Sequence, residues 1–121
     1  MTSITICLPL PDRLLHPNAR SHWAKKAKAV RLAKEAAFYE AKLAGVHGKL
    51  WKTADVKAVF YFQLSRTRDR DNLASSLKSY LDGIVQAGLL VNDSGLSAPV
   101  VEHVVDHAEE ERVVLTFTKT S

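Results

Sequence analysis

Apolar and polar residues alternate near the start of the chain, where Ile4, Ile6, Leu8 and Leu10 are separated by Thr5, Cys7 and Pro9. Successive strand side chains point to opposite faces, so the pattern predicts a half-buried strand over residues 3–10. Proline has no N–H to give a neighbouring strand, and Pro9 therefore marks a sheet edge or the strand's end. A loop punctuated by Pro17 and Asn18 follows. Residues 21–44 then contain no Gly or Pro and are rich in Ala, Lys, Leu and Glu, which predicts a helix. Ser21 is its expected N-cap and Gly45 its C-terminal stop. On a helical wheel Trp23, Ala27, Val30, Ala37, Phe38 and Ala41 share one face, interrupted by Lys34. So weakly apolar a face needs close packing against a sheet or another chain.

Alternation resumes at Val56, Ala58, Phe60, Phe62 and Leu64, which predicts a central strand. A charged loop, Ser65 to Asp71, leads into a second helix over residues 72–87. There Leu73, Leu77, Tyr80, Leu81 and Ile84 form the buried stripe and Gly88 lies past the end. A short apolar piece, Leu89 to Val91, precedes the turn Asn92-Asp93-Ser94-Gly95. Strands are expected at 99–107 and 112–119, joined as a hairpin by Glu109-Glu110-Glu111. The order is β-α-β-α-β-β, which predicts an α+β (mixed α/β) single domain spanning residues 1–121, with a mixed sheet and helices mostly on one face. Such a small sheet with an open face often dimerises to cover it.

Charge changes this picture more than composition does. Residues 1–50 carry nine Lys/Arg against three Asp/Glu, and residues 51–121 carry eight against ten. A basic half beside a half with clustered carboxylates suggests a polyanionic partner and a local acidic site, although a solvated helix face beside acidic loops would look the same. The one cysteine, Cys7, excludes an intrachain disulfide and a cysteine metal cluster. No apolar run approaches the roughly 20 residues of a membrane span, and the start lacks a signal peptide's basic region. A cytoplasmic protein with no membrane partner is the expectation.

The informative stretch is Arg66-Thr-Arg-Asp-Arg-Asp-Asn72. In extended chain, residues two apart point the same way, so Asp69 and Asp71 would aim at one point. A hard cation such as Mg²⁺ takes one or two carboxylates, waters and substrate phosphate, and a third acid would complete a phosphodiesterase-like centre. Equally, Asp71 or Asn72 would serve as an N-cap. Arg66, Arg68 and Arg70 would hold phosphates beside the acids or simply neutralise them. On the helix Asp71, Ser75, Lys78 and Asp82 form a polar stripe, with Lys78 roughly 10 Å along the axis from Asp71. Asp82, roughly 16 Å away, reads first as the i+4 partner of Lys78. Asp93 lies in a turn that needs no function. It approaches Asp71 of its own chain only if the segment after Gly88 runs straight back along the helix; otherwise it would come from a dimer partner. His103 and His107 would stand about 13 Å apart on a strand, which does not suit zinc. His22, beside Trp23, would pack at the helix start at least as readily as touch a nucleic acid, and Trp23 and Trp51 read as core or interface residues before base-stacking platforms.

Together, Asp-Arg-Asp-Asn-Leu (69–73), Lys78, Leu-Asp-Gly (81–83) and Ala-Gly-Leu-Leu-Val-Asn-Asp-Ser (87–94) resemble the RusA family of Holliday junction endodeoxyribonucleases, and Pro17 to Lys26 resembles that family's entry into its first helix. The resemblance implies a small dimeric resolvase, of a kind common in phages, dependent on Mg²⁺ with Mn²⁺ as a substitute. It implies that Asp69 and Asp71 are its metal-binding pair, that Asn72 is the asparagine that follows, that Asp93 is the catalytic acid of the later pair, and that Lys78 is the catalytic lysine. Two departures stand out. Lys78 falls six residues after Asn72, whereas the family's lysine falls three after, where Ser75 stands here. Asn92 replaces the first acid of the later pair.

The expected function is therefore Mg²⁺-dependent resolution of four-way DNA junctions in recombination and repair, by paired symmetric nicks from a homodimer, in a bacterial or phage-infected cell. Arg20, Lys25, Lys28 and Arg31, with Arg66, Arg68 and Arg70, would grip DNA backbones. Two alternatives share the basic helix without needing the acids: a branched-DNA-binding module that does not cut, and an interaction protein that docks an acidic partner.

Overall fold

A computed structural model describes residues 2–17, 19–20 and 22–120. The first strand, β1 (Ser3–Leu8), ends before Pro9. The helix α1 (Trp23–Leu43) leads to β2 (Ala54–Phe62). The second helical region divides into α2 (Arg70–Ser76) and α3 (Lys78–Gln86), hinged at Leu77, whose N–H reaches back only three residues to the Ala74 carbonyl. The chain closes with β3 (Val100–Val105) and β4 (Arg112–Lys119).

The four strands form one sheet in the order β1-β4-β2-β3, with β4 antiparallel to both β1 and β2, and β2 parallel to β3. The mixed α+β class and the edge position of β1 follow the sequence pattern. The terminal hairpin does not form, because β2 lies between β3 and β4. The acidic segment passes over the end of β2 instead. Asp106 N–H donates to the Phe62 carbonyl at 2.8 Å, Gln63 N–H to a Glu111 carboxylate oxygen at 3.0 Å, and Gln63 Nε2 to the Glu109 carbonyl at 2.9 Å.

One face of the sheet is covered. Ile6 and Leu8, Val56, Ala58 and Phe60, and Val113, Leu115 and Phe117 point into a single core. The alternate residues, among them Thr5, Lys57 and Glu102, face outward. On α1 the buried stripe is Ala29, Ala33, Ala37 and Ala41, a strict i+4 ladder. Of the expected face, Ala37 and Ala41 are buried and Val30 and Phe38 pack against the core, whereas Ala27 is exposed and Trp23 is 77% exposed; Trp51 is in the core. Small side chains let the backbones of α1 and α3 close up. A Cβ on Gly83 of α3 would stand 2.3 Å from the Lys34 carbonyl oxygen. This contact supplies the close packing that the alanines require.

The caps explain the boundaries. Gly45 takes a positive φ of 86°, and the Val46 and Gly45 N–H groups return to the Ala41 and Lys42 carbonyls, closing α1. At the other end His22 is the N-cap, its Nδ1 accepting from Ala24 N–H at 3.2 Å; Ser21 lies outside the described residues. β3 stops at Val105, so His103 is on the strand and His107 beyond it. No helix among the described residues is long and apolar enough to cross a membrane.

Candidate nucleic-acid interface and acidic site

Past the end of β2 the chain turns through Gln63–Arg68 and enters α2 with Asp69 as N-cap. Its Oδ1 accepts from the N–H groups of Asp71 at 2.8 Å and Asn72 at 3.2 Å. The first helical amides have no partner within a helix, so an acid at this position supplies one and meets the positive end of the dipole. The helix thus starts two residues earlier than the pattern suggested. Only Asp69 is extended; Asp71 lies in the first turn, so the two acids do not share one strand face. They remain neighbours on one helix start, with Asp71 exposed and Asp69 Oδ2 left over from capping. Carboxylate oxygens with the Asn72 amide make an all-oxygen donor set, which suits a hard cation holding several waters.

Beside Asp69 is a hollow of about 260 Å³ over Phe60 and Phe62, with Arg66, Arg68, His16 and Asn72 in its wall. Arg68 is held from several sides. Its guanidinium carbon lies 3.5 Å above the centre of the Phe62 ring, and its Nη1 donates to the carbonyls of Leu64 at 3.1 Å and Arg66 at 3.2 Å. Desolvation there and the charge of Arg66 lower its pKa, opposed by Glu111. His16 is a wall residue that the sequence patterns did not single out; being outside any helix or strand, it has no period to reveal it.

Lys78 and Asp93 sit elsewhere. Lys78 Nζ is 3.5 Å from Asp82 Oδ2, the expected i+4 pair. Both line a hollow of about 310 Å³ that also contains Asp93, on the 3-10 turn Asp93–Gly95. Asn92 caps this turn, its Oδ1 accepting from Ser94 N–H at 3.2 Å. The preceding segment turns back beside the helix, with Leu90–Asp93 along Gln86, Val85, Asp82 and Lys78, and Ala74 is the wall residue of the Asp93 hollow nearest to Asp71. The segment also meets Leu50 and Trp51, where Trp51 N–H donates to the Leu89 carbonyl at 2.8 Å and Val91 N–H to the Trp51 carbonyl at 3.0 Å. Leu96 then bridges to Ala54, at the start of β2, whereas Asp69 lies over Phe60 and Phe62 toward the strand's end. The described residues contain no group of three Asp, Glu, His or Cys placed to hold a metal. Asp69 and Asp93 thus line different hollows, and Lys78 goes with Asp93.

The basic residues of α1 divide as well. Lys25, Lys28 and Arg31 are exposed. Arg31 and the half-buried Lys34 border a shallow groove with Val30, Phe38 and Tyr39. Arg20 lines a hollow next to the acidic one, and Arg70 is the first residue of α2.

The fold and site define an α+β protein with an acidic helix start set among arginines. No family model matches the chain. It is 37% identical over 125 residues to an uncharacterized protein of Xylella fastidiosa (strain Temecula1 / ATCC 700964), in an alignment covering 98% of this chain and 76% of that protein. The chain belongs to that protein's family.

Proposed function

We propose that the protein is a RusA-type endodeoxyribonuclease that resolves four-way DNA junctions by paired symmetric nicks, acting as a twofold dimer in the cytoplasm of a bacterium or phage-infected cell. The observation that carries this reading is the Asp69–Asp71 pair at the start of α2, beside a hollow walled by Arg66 and Arg68. Asp69 and Asp71, with Asn72, would hold Mg²⁺ or Mn²⁺, which when bound offsets charge on the scissile phosphate and makes a water nucleophilic. The chain's own part is to position the strand. The arginines fix phosphates beside the acids, where the strand must be cut.

Because Asp93 and Lys78 share a hollow whose lining does not include Asp69, we assign them to complete the site of the other protomer. Each active site of the dimer is then built from two chains, which suits two symmetric strands. Lys78, held by Asp82, would set its charge against the scissile phosphate or leaving oxygen. A second reading, a junction-binding module that does not cut, draws on the commitment of Asp69 Oδ1 to two backbone amides, a full structural role without metal.

Incubation with an immobile four-way junction and a matched duplex, with Mg²⁺ and with EDTA, separates the readings. Paired nicks on the junction alone and with Mg²⁺ alone are expected. Tight junction binding without cutting in Mg²⁺ and in Mn²⁺ contradicts the nuclease and leaves the binding module.

A further inference from the structure

The hollow beside Asp69 does not end at His16 and Asn72. Both residues also line a second hollow of about 410 Å³, walled by Arg13, Leu14, Ala19 and Arg20. The two hollows thus adjoin at His16 and Asn72, which stand at the waist of a trough made of both. Its four arginines come from two distant chain segments, Arg13 and Arg20 before α1, and Arg66 and Arg68 before α2. Asp69 is the one acid among the described lining residues. Beneath the charges the trough is apolar, with Leu10, Phe62 and Leu73 in one half and Leu14 and Ala19 in the other.

We propose that this trough binds a single, unstacked DNA strand and leads it across His16 to the acids. The claim rests on the nuclease reading for why a strand comes here, and names which strand and by which route. The arginines match a polyanion. The apolar floor selects among polyanions, since a duplex presents grooves and phosphates but keeps its base faces stacked away, whereas a single strand offers both phosphates and ring faces. Arg68 supplies a plate for such a face. Its guanidinium is already fixed against Phe62 and by two carbonyls, so little freedom is lost when a base stacks on it. Arg13 and Arg20 then take phosphates one or two nucleotides away, and His16 contacts the strand between them. Strands that leave their partners at a branch point would provide such nucleotides.

The test is binding of a labelled oligothymidylate and of a matched duplex, in EDTA and across a salt series, by the wild type and by Arg13→Ala, His16→Ala, Arg68→Lys and Lys49→Ala, each first checked for an unchanged circular-dichroism melt. We expect the single strand to bind more tightly than the duplex. Arg13→Ala should weaken it and lower the salt slope by about 0.7. Arg68→Lys, which keeps the charge but loses the plate, should weaken it about tenfold with the slope unchanged. His16→Ala should weaken it several-fold, and Lys49→Ala, on an exposed loop away from the trough, should not. Wild-type binding by Arg13→Ala and Arg68→Lys, or a duplex bound more tightly than the strand, overturns the proposal. Junction cutting by the wild type is scored separately. If it is present while the trough variants bind normally, the trough fails and the nuclease stands; if it is absent while the variants lose strand binding, the nuclease fails and the trough stands.

Discussion

Asp69 has two separable tasks at the residue scale. Its Oδ1 caps α2, which an asparagine oxygen does nearly as well, while metal binding needs the negative charge. Asp69→Asn should thus keep the unfolding midpoint in urea and lose junction cutting, whereas Asp69→Ala should lose both cutting and about 1 kcal/mol of stability. Equal destabilisation by both substitutions would show that the cap depends on charge. Tyr80 makes a different residue-scale prediction. Its hydroxyl donates to the Pro9 carbonyl at 2.9 Å and tethers α3 to the end of β1, and burial, with a smaller contribution from Asp12, raises its pKa. A folded-state pKa above the unfolded value means that this stability is whole below about pH 10 and declines as pH rises through the raised pKa. Thermal melts from pH 8 to 11 should show that decline in the wild type and a shallower one in Tyr80→Phe, which should also cost about 1 kcal/mol at neutral pH. Parallel declines in the two proteins would remove Tyr80 as the cause.

Elements are where the sequence was most legible, and also where it misled. The positions of β1, α1, β2 and the second helical region follow from local periodicity, and Gly45 and Gly88 close their helices with positive φ of 86° and 109°. Pairing between strands is not local. Alternation shows that residues 100–105 and 112–119 are strands, but nothing in them reveals that β2 will part them. The buried face of α1 is legible at Val30, Ala37, Phe38 and Ala41 but not at Ala29 and Ala33, for a related reason. Large side chains such as Trp23 dominate a helical wheel, while the surface that docks on α3 is defined by the absence of bulk. The acidic pair was legible as a pair, but its geometry was not, because the helix begins at Arg70 and takes Asp71 out of the extended chain. The α1–α3 contact has its own test. Gly83→Ala would ordinarily favour a helix, yet its Cβ meets the Lys34 carbonyl, so calorimetry should show a loss of about 2 kcal/mol. A gain in melting temperature would mean that the two helices are less tightly docked.

At the scale of the whole molecule, one chain divides the groups of the proposed chemistry between two hollows. Asp69 lines the one over Phe60 and Phe62, and Asp93 lines the other with Lys78 and Asp82. Assembly from two chains resolves this. Sedimentation should show twice the chain mass, and Asp71→Asn and Asp93→Asn homodimers should each fail to cut a junction. Mixed and allowed to exchange, the two variants should regain cutting, since one of the two composite sites in the heterodimer is intact. A mixture that stays inactive despite verified exchange would place all the acids of a site in one chain.

The most direct test of the central claim is a single substitution. Asp71 is exposed in the first turn of α2, where replacement by Asn changes charge and little else. In one preparation of Asp71→Asn, junction affinity in EDTA and cutting in Mg²⁺ should be measured side by side with the wild type. Junction binding at least as tight as wild type is expected, as one negative charge has left a site that faces phosphates, with paired nicks reduced by at least a hundredfold. Wild-type cutting by Asp71→Asn would contradict the nuclease reading.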